Sequence, residues 1–189
     1  MGKFALVLLD FQVGILNRVD PTRLSQCLGR LSAAAGAARA TKHPVIYVTS
    51  EFRAGHPEIL AHNFSFGRVQ AAGGFVSGDA SVAVHPDVAP QEGDIAVVKR
   101  RVSAFVGSDF DVVLRGLQVD TLVLAGVATS GAVLSTVRQA ADLDFKLTVL
   151  EDLCLDLDEE LHKVLVEKVF TRQATVMSSE QWIKEVSKE

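Results

Sequence analysis

Phe4-Ala5-Leu6-Val7-Leu8-Leu9-Asp10 places six consecutive apolar residues before an acid. Six residues are too few for a helix of ordinary length, and the run does not alternate apolar with polar. A strand of this kind is covered on both faces, as in the interior of a parallel sheet. Five further runs of similar type occur at Val45–Thr49, Ile95–Val98, Thr121–Ala125, Leu147–Leu150 and Ala174–Met177. Each is bounded by Asp, Gly, Pro or charge.

Helical stretches lie between them. From Pro21 to about Thr41 the apolar residues Leu24, Leu28, Leu31 and Ala35 recur at spacings of three and four. Asp20 is placed to cap this helix and Pro21 to occupy its first turn. Helices are also expected from Ser108 or Asp109 to Leu117, from Ser130 to Asp142 and from Asp158 to Phe170. A last one starts at Ser178 or Ser179. Alternating strands and helices predict one α/β domain over residues 1–189: a three-layer sandwich around a six-stranded, mostly parallel, Rossmann-like sheet with right-handed crossovers. Ligands in such sheets bind beyond the carboxyl ends of the strands, near the reversal of strand order. Arg53 to Asp94 resists the alternation, with three prolines and Gly73-Gly74, and reads as a lid or a partner-binding arm.

Composition narrows the function classes. The 189 residues are 48% hydrophobic and 22% charged, enough for a sizeable core. No apolar run approaches the roughly 20 residues that span a bilayer, and the first ten residues are too short for a signal-peptide core. Net charge is −4, which argues against a nucleic-acid binder. The expectation is a cytoplasmic protein with a small-molecule substrate, no nucleic-acid partner and no membrane. Cys27 and Cys154 form neither a disulfide framework nor a zinc site. Cys27 falls on the apolar face of the first long helix, while Cys154 follows a strand and is a weak candidate for a nucleophile. The five histidines show no metal-ligand spacing, and no glycine-rich phosphate loop is present. Neither metal nor cofactor is expected.

Three strand ends carry chemistry. Asp10 follows the first strand, with Gln12 two residues on. Lys99 ends Ile95-Ala96-Val97-Val98 and opens the run Arg100-Arg101-Val102-Ser103-Ala104-Phe105. The third end runs Leu124-Ala125-Gly126-Val127-Ala128-Thr129-Ser130-Gly131-Ala132 into a helix, a geometry that aims backbone N–H groups at an anion over the sheet.

On LLDFQ at 8–12, KRRVSAF at 99–105 and GVATSGAVLSTVRQAADLDF at 126–145, the sequence resembles the isochorismatase-like hydrolase superfamily. That superfamily includes isochorismatases, nicotinamidases and related cysteine hydrolases. The resemblance implies the isochorismatase-like hydrolase fold, homo-oligomeric assembly and a cis peptide between Val127 and Ala128. It also implies backbone donors at Ala128 and Ala132 for an oxyanion. In the cysteine hydrolases an Asp, Lys, Cys triad acts; Asp10 and Lys99 match the first two members, and Ala132 stands at the third. An alanine methyl cannot form a thioester. Ser50-Glu51-Phe52-Arg53 also lacks the metal-binding residues of nicotinamidases. Three readings stay open: a hydrolase acting without a covalent cysteine, with enol-ether hydrolysis as its concrete case; a catalytically silent binder; or a cysteine hydrolase whose nucleophile was replaced. Asp10 would be the general acid, Lys99 would orient it, and Gln12, Arg53, Arg101 and Phe105 are candidates for substrate contact. Arg100 is a further cation for a substrate carboxylate, and Phe11, Phe64 and Phe66 are candidate apolar walls.

Overall fold

The computed structural model describes residues 3–188. Six strands, β1 (Phe4–Leu9), β2 (Val45–Ser50), β3 (Ile95–Lys99), β4 (Thr121–Val127), β5 (Lys146–Leu155) and β6 (Thr175–Met177), form one parallel sheet in the order β3-β2-β1-β4-β5-β6. The chain builds outward from β1 to one edge, then returns to lay β4 against the other side of β1. The carboxyl ends of β1 and β4 therefore flank the point where strand order reverses, which is where such sheets leave a crevice.

The uninterrupted apolar run of β1 is explained by burial on both faces. Successive side chains along a strand point to opposite sides. Phe4, Leu6 and Leu8 pack into one core with Leu28, Leu31 and Trp182, whereas Ala5, Val7 and Leu9 pack into the other with Phe110, Leu114 and Val137. The short helix α1 (Val13–Leu16) follows β1, and α2 (Pro21–Ala40) supplies Leu28 and Leu31. The segment between β2 and β3 holds α3 (Gly67–Ala72), and α4 (Phe110–Gly116), α5 (Leu134–Asp142), α6 (Glu159–Val164) and α7 (Ser179–Val186) complete the chain. Trp182 comes from α7, on the α2 side, while α4 and α5 cover the opposite face. The three-layer α/β sandwich expected from the sequence is the observed fold.

Local chemistry sets the helix starts. The Asp20 carboxylate accepts from the N–H groups of Thr22 and Arg23, both at 3.0 Å, as a cap should. Ser178 and Gln181 close a capping box on α7. The helix expected from Ser130 instead begins as a wide turn over Thr129–Val133, with α5 proper starting at Leu134. The helix expected from Asp158 likewise widens after Val164 and ends as a tight turn at Phe170–Arg172.

The largest departure is β5, which continues past Leu150 to Leu155 through an irregularity opposite Leu124 and Gly126. Glu151 and Asp152 read as a strand end because acids are rare inside strands. Here Asp152 receives the N–H and hydroxyl of Ser179, both at 2.7 Å, and so fastens the start of α7. The segment from Arg53 to Asp94 is ordered by two isolated bridges, Phe52 with Val76 and Gln12 with Val84.

Glycine is sterically required at position 126. A Cβ at Gly126 would lie 2.6 Å from Leu9 Cβ and 2.8 Å from Leu9 O, where β4 presses on β1. Gly36, exposed within α2, has open space around that position. Gly126→Ala should therefore lower unfolding free energy by about 1–3 kcal/mol or more, while Gly36→Ala should raise it by roughly 0.5–1 kcal/mol. Urea denaturation of both variants checks the pair; equal effects would contradict this account of the β1–β4 contact.

Candidate functional site

The site begins with a turn at the end of β1. Asp10 takes a left-handed backbone conformation (φ 56°), which Asp tolerates better than most side chains. Its N–H remains tied to Val48 O at 2.8 Å. Its carboxylate meets two groups from neighbouring strands. Oδ2 lies 2.8 Å from Lys99 Nζ, and Oδ1 accepts from Ser50 Oγ at 3.1 Å.

Strand spacing explains the residue types. β1 and β3 are separated by β2, so their axes are about 10 Å apart. Only a long side chain can cross that gap, and the β2 residue beneath it must be small. Lys99 and Ser50 are direct partners in the β2–β3 register. The ammonium uses all three of its donors: Asp10, Ser50 Oγ at 2.6 Å and Arg101 O at 3.2 Å. The Lys99 side chain is 1% exposed and that of Asp10 6%. Burial pushes the Asp10 carboxyl above its ordinary range, against the pull of Lys99 and the hydrogen bond from Ser50. The folded chain thus holds this proton to higher pH than the unfolded one. The Asp10 contribution favours folding at low pH and is lost as pH rises through the elevated value.

Gln12 sits one layer behind. It is buried; its Nε2 donates to Ser50 O at 2.9 Å and Val82 O at 2.8 Å, and its Oε1 accepts from Ser50 N at 2.8 Å. Every polar atom of the amide is spent on backbone. Gln12 therefore positions Ser50 and does not face the pocket.

The third corner comes from β4. The Val127–Ala128 peptide is cis. Ala128 O accepts from the N–H groups of Gly131 and Val133 at 3.1 and 3.3 Å. The turn is tethered from outside by Ser130 N donating to Asp156 Oδ2 at 2.7 Å and by a 2.8 Å hydrogen bond between Thr129 Oγ1 and His162 Nδ1. Asp10, Lys99, Ala128 and Ala132 all line one pocket of about 310 Å³. Its walls are apolar, with Phe52, Phe66, Phe75, Val102 and Leu157 among them, and Arg18 is its remaining charged residue.

Several expected contacts lie elsewhere. The Arg53 side chain is 69% exposed and pairs with Glu58 at 2.6 Å. Arg101 donates to the carbonyls of Arg100 and Glu58, and Arg100 also approaches the Glu58 carboxylate. Glu58, through its carboxylate for Arg53 and Arg100 and its carbonyl for Arg101, thus gathers the arginines that the sequence offered to a substrate. Phe105 packs on Phe110 and Phe145, Phe11 is core, and Phe64 is exposed beside Arg68; of the candidate aromatic walls, Phe66 reaches the pocket. Ser50 and Arg18 were not singled out from sequence. Ser50 ends an apolar strand, the signal that identified Asp10 and Lys99. Arg18 follows a four-residue helix and carries no such signal.

Neither cysteine is placed for chemistry. Both are buried; desolvation pushes the Cys27 thiol up to about 12 and Cys154 higher still. Among the described residues, no group of three or more His, Cys, Asp or Glu side chains is arranged to hold a metal ion.

Two predictions follow from this geometry. Asp10→Asn or Lys99→Met alone leaves a buried partner without its counter-group and should cost about 3–5 kcal/mol of stability. The double variant should lose clearly less than the sum, which a denaturant-based double-mutant cycle measures; strict additivity would mean the two groups do not interact. For the cysteines, Ellman's reagent at mildly alkaline pH should find no reactive thiol in the native protein and both after denaturation. Fast labelling of native Cys154 would restore it as a candidate nucleophile.

Known proteins bear on this site. The isochorismatase domain matches residues 4–181. YecD of Escherichia coli, an isochorismatase family protein, is 32% identical over 186 residues, covering 94% of this chain and 93% of its own. The ureidoacrylate amidohydrolase RutB of Pseudomonas syringae pv. syringae is 30% identical over 176 residues, or 80% of this chain and 70% of that protein. Among solved structures, a cysteine hydrolase from Pseudomonas syringae pv. phaseolicola superposes with a TM-score of 0.89 at 21% identity, covering 98% of this chain and 93% of that one. By the domain match and the near full-length relative, the chain belongs to the isochorismatase family of hydrolases.

Proposed function

We propose that the pocket hydrolyses a small metabolite with water as the nucleophile, and that Asp10 moves the proton. The observation that carries this reading is the combination of a buried Asp10–Lys99–Ser50 junction with an alanine methyl, Ala132, at the third corner. A methyl offers no electron pair, so no acyl or glycosyl group can be held there. The remaining chemistry is acid–base.

Enol-ether hydrolysis is the concrete case. Asp10, whose affinity for a proton burial raises, donates that proton to the terminal vinyl carbon. The resulting oxocarbenium ion is captured by water, and the adduct collapses to an alcohol and a carbonyl compound while Asp10 recovers its proton from that water. Ser50 and Lys99 each engage one carboxyl oxygen, which fixes its plane and leaves lone-pair positions for the transferred proton.

A second reading draws on the relative described as an ureidoacrylate amidohydrolase. Here the Asp10 carboxylate would deprotonate a water that attacks a carbonyl. The two readings require opposite protonation states of the same residue, so pH separates them. For enol-ether hydrolysis, kcat/KM should fall as pH rises through the elevated Asp10 value; for base-assisted amide hydrolysis it should rise. Steady-state assays across pH with monocarboxylate enol ethers and ureido acids make the distinction. Asp10→Asn, which preserves shape and suits the left-handed conformation, should reduce kcat by two orders of magnitude or more, since general acid–base catalysis contributes roughly 10²–10⁴-fold. Turnover that survives Asp10→Asn would overturn both readings, and no turnover by the wild type would favour a binding role.

A further inference from the structure

Arg18 is the one cation of the pocket with no internal counter-charge. Asp10, Lys99 and Arg18 are the charged residues in its wall. The first two neutralise each other at 2.8 Å. Arg18 makes no side-chain hydrogen bond, ion pair or ring contact with any described residue. The nearest acid in sequence, Asp20, is committed to the first N–H groups of α2. Arg53, Arg100 and Arg101 are all drawn to Glu58, away from the pocket.

The backbone around Arg18 is fixed. Leu16 and Val19, on either side of the turn after α1, are 1% and 7% exposed and pack into the core beside α2. Arg18 is exposed at the rim while Asp10 is buried at the floor, with Ile15, Phe52, Phe66, Phe75 and Val102 among the apolar residues around them.

We infer that Arg18 anchors the single carboxylate of the substrate, holding a monoanion with an apolar body so that its opposite end meets Asp10. This assignment rests on the reading of the pocket as the reaction site, and it narrows the substrate class. A guanidinium recognises a carboxylate through two parallel N–H donors, and partial enclosure by apolar walls strengthens the pairing over its value in open water. A neutral ligand leaves the guanidinium unmatched. A dianion places its second charge against apolar walls, where burial is costly.

The test uses benzoate, its neutral isostere benzamide, and the dianion isophthalate, with binding to the full chain measured by calorimetry. Benzoate should bind about tenfold or more tightly than benzamide, and more tightly than isophthalate. Arg18→Gln should abolish the benzoate preference while leaving benzamide affinity unchanged, and Arg18→Lys should keep part of it. Added salt should weaken benzoate binding more than benzamide binding. Benzoate binding that depends on Arg18 but is accompanied by no turnover of any substrate would leave the anchor standing and the proposed chemistry refuted, so the two failures are distinguishable. The proposal is overturned if wild type fails to bind benzoate, if benzoate and benzamide bind equally, or if Arg18→Gln leaves the benzoate preference intact.

Discussion

The ion pair between Asp10 and Lys99 spans three strands, and the architecture of the site depends on it. It joins the end of β1 to the end of β3 over the top of β2, using a side chain long enough for the crossing and a serine small enough to pass beneath. Two charges removed from water are held by five interactions: the pair itself, the two hydrogen bonds of Ser50, the Arg101 carbonyl and the amide clamp of Gln12 behind them. A pair satisfied so completely is not placed for stability alone, because an apolar replacement of equal volume often serves a fold as well or better. Its value is a carboxyl group whose proton affinity is raised and whose orientation is fixed.

The rest of the fold delivers the other side of the pocket to that carboxyl. Close approach of β4 to β1 at Gly126 brings the turn carrying Ala128 and Ala132 into the same cavity as Asp10. The tethers of Thr129 and Ser130 to His162 and Asp156 hold this turn from the side away from the pocket. The long segment between β2 and β3 adds Phe52, Phe66 and Phe75, so that a group leaving water at the rim reaches a largely apolar interior. In such an environment electrostatic interactions with Asp10 and Arg18 are less screened than at a free surface.

Much of this was legible in the residues. Non-alternating runs such as Phe4–Leu9 signalled a sheet buried on both faces, and the rule that chemistry gathers at strand ends led to Asp10, Lys99 and the 126–132 turn. The acids of β5 obscured its full length, because Ser179, the partner of Asp152, lies 27 residues away in sequence. The arginines near Lys99 looked available for a ligand until folding brought Glu58 among them. Gln12 looked like a ligand contact because it neighbours Asp10, yet the backbone of Ser50, 38 residues away, occupies its amide. Arg18 carried no signal, since what distinguishes it is the lack of a partner, and that is a property of the folded surroundings. Charge type is local information; charge pairing is not.

The central claim is that burial outweighs the attraction of Lys99 at Asp10, so that this carboxyl takes up a proton above the ordinary aspartate range. Carbon-13 NMR of aspartate carboxyl groups, with the Asp10 signal assigned by its loss in Asp10→Asn, measures this without any substrate. The account predicts a titration displaced upward from 3.8 in the wild type. A signal that stays ionised down to that value or below would show that Lys99 wins, and Asp10 could not then serve as the acid.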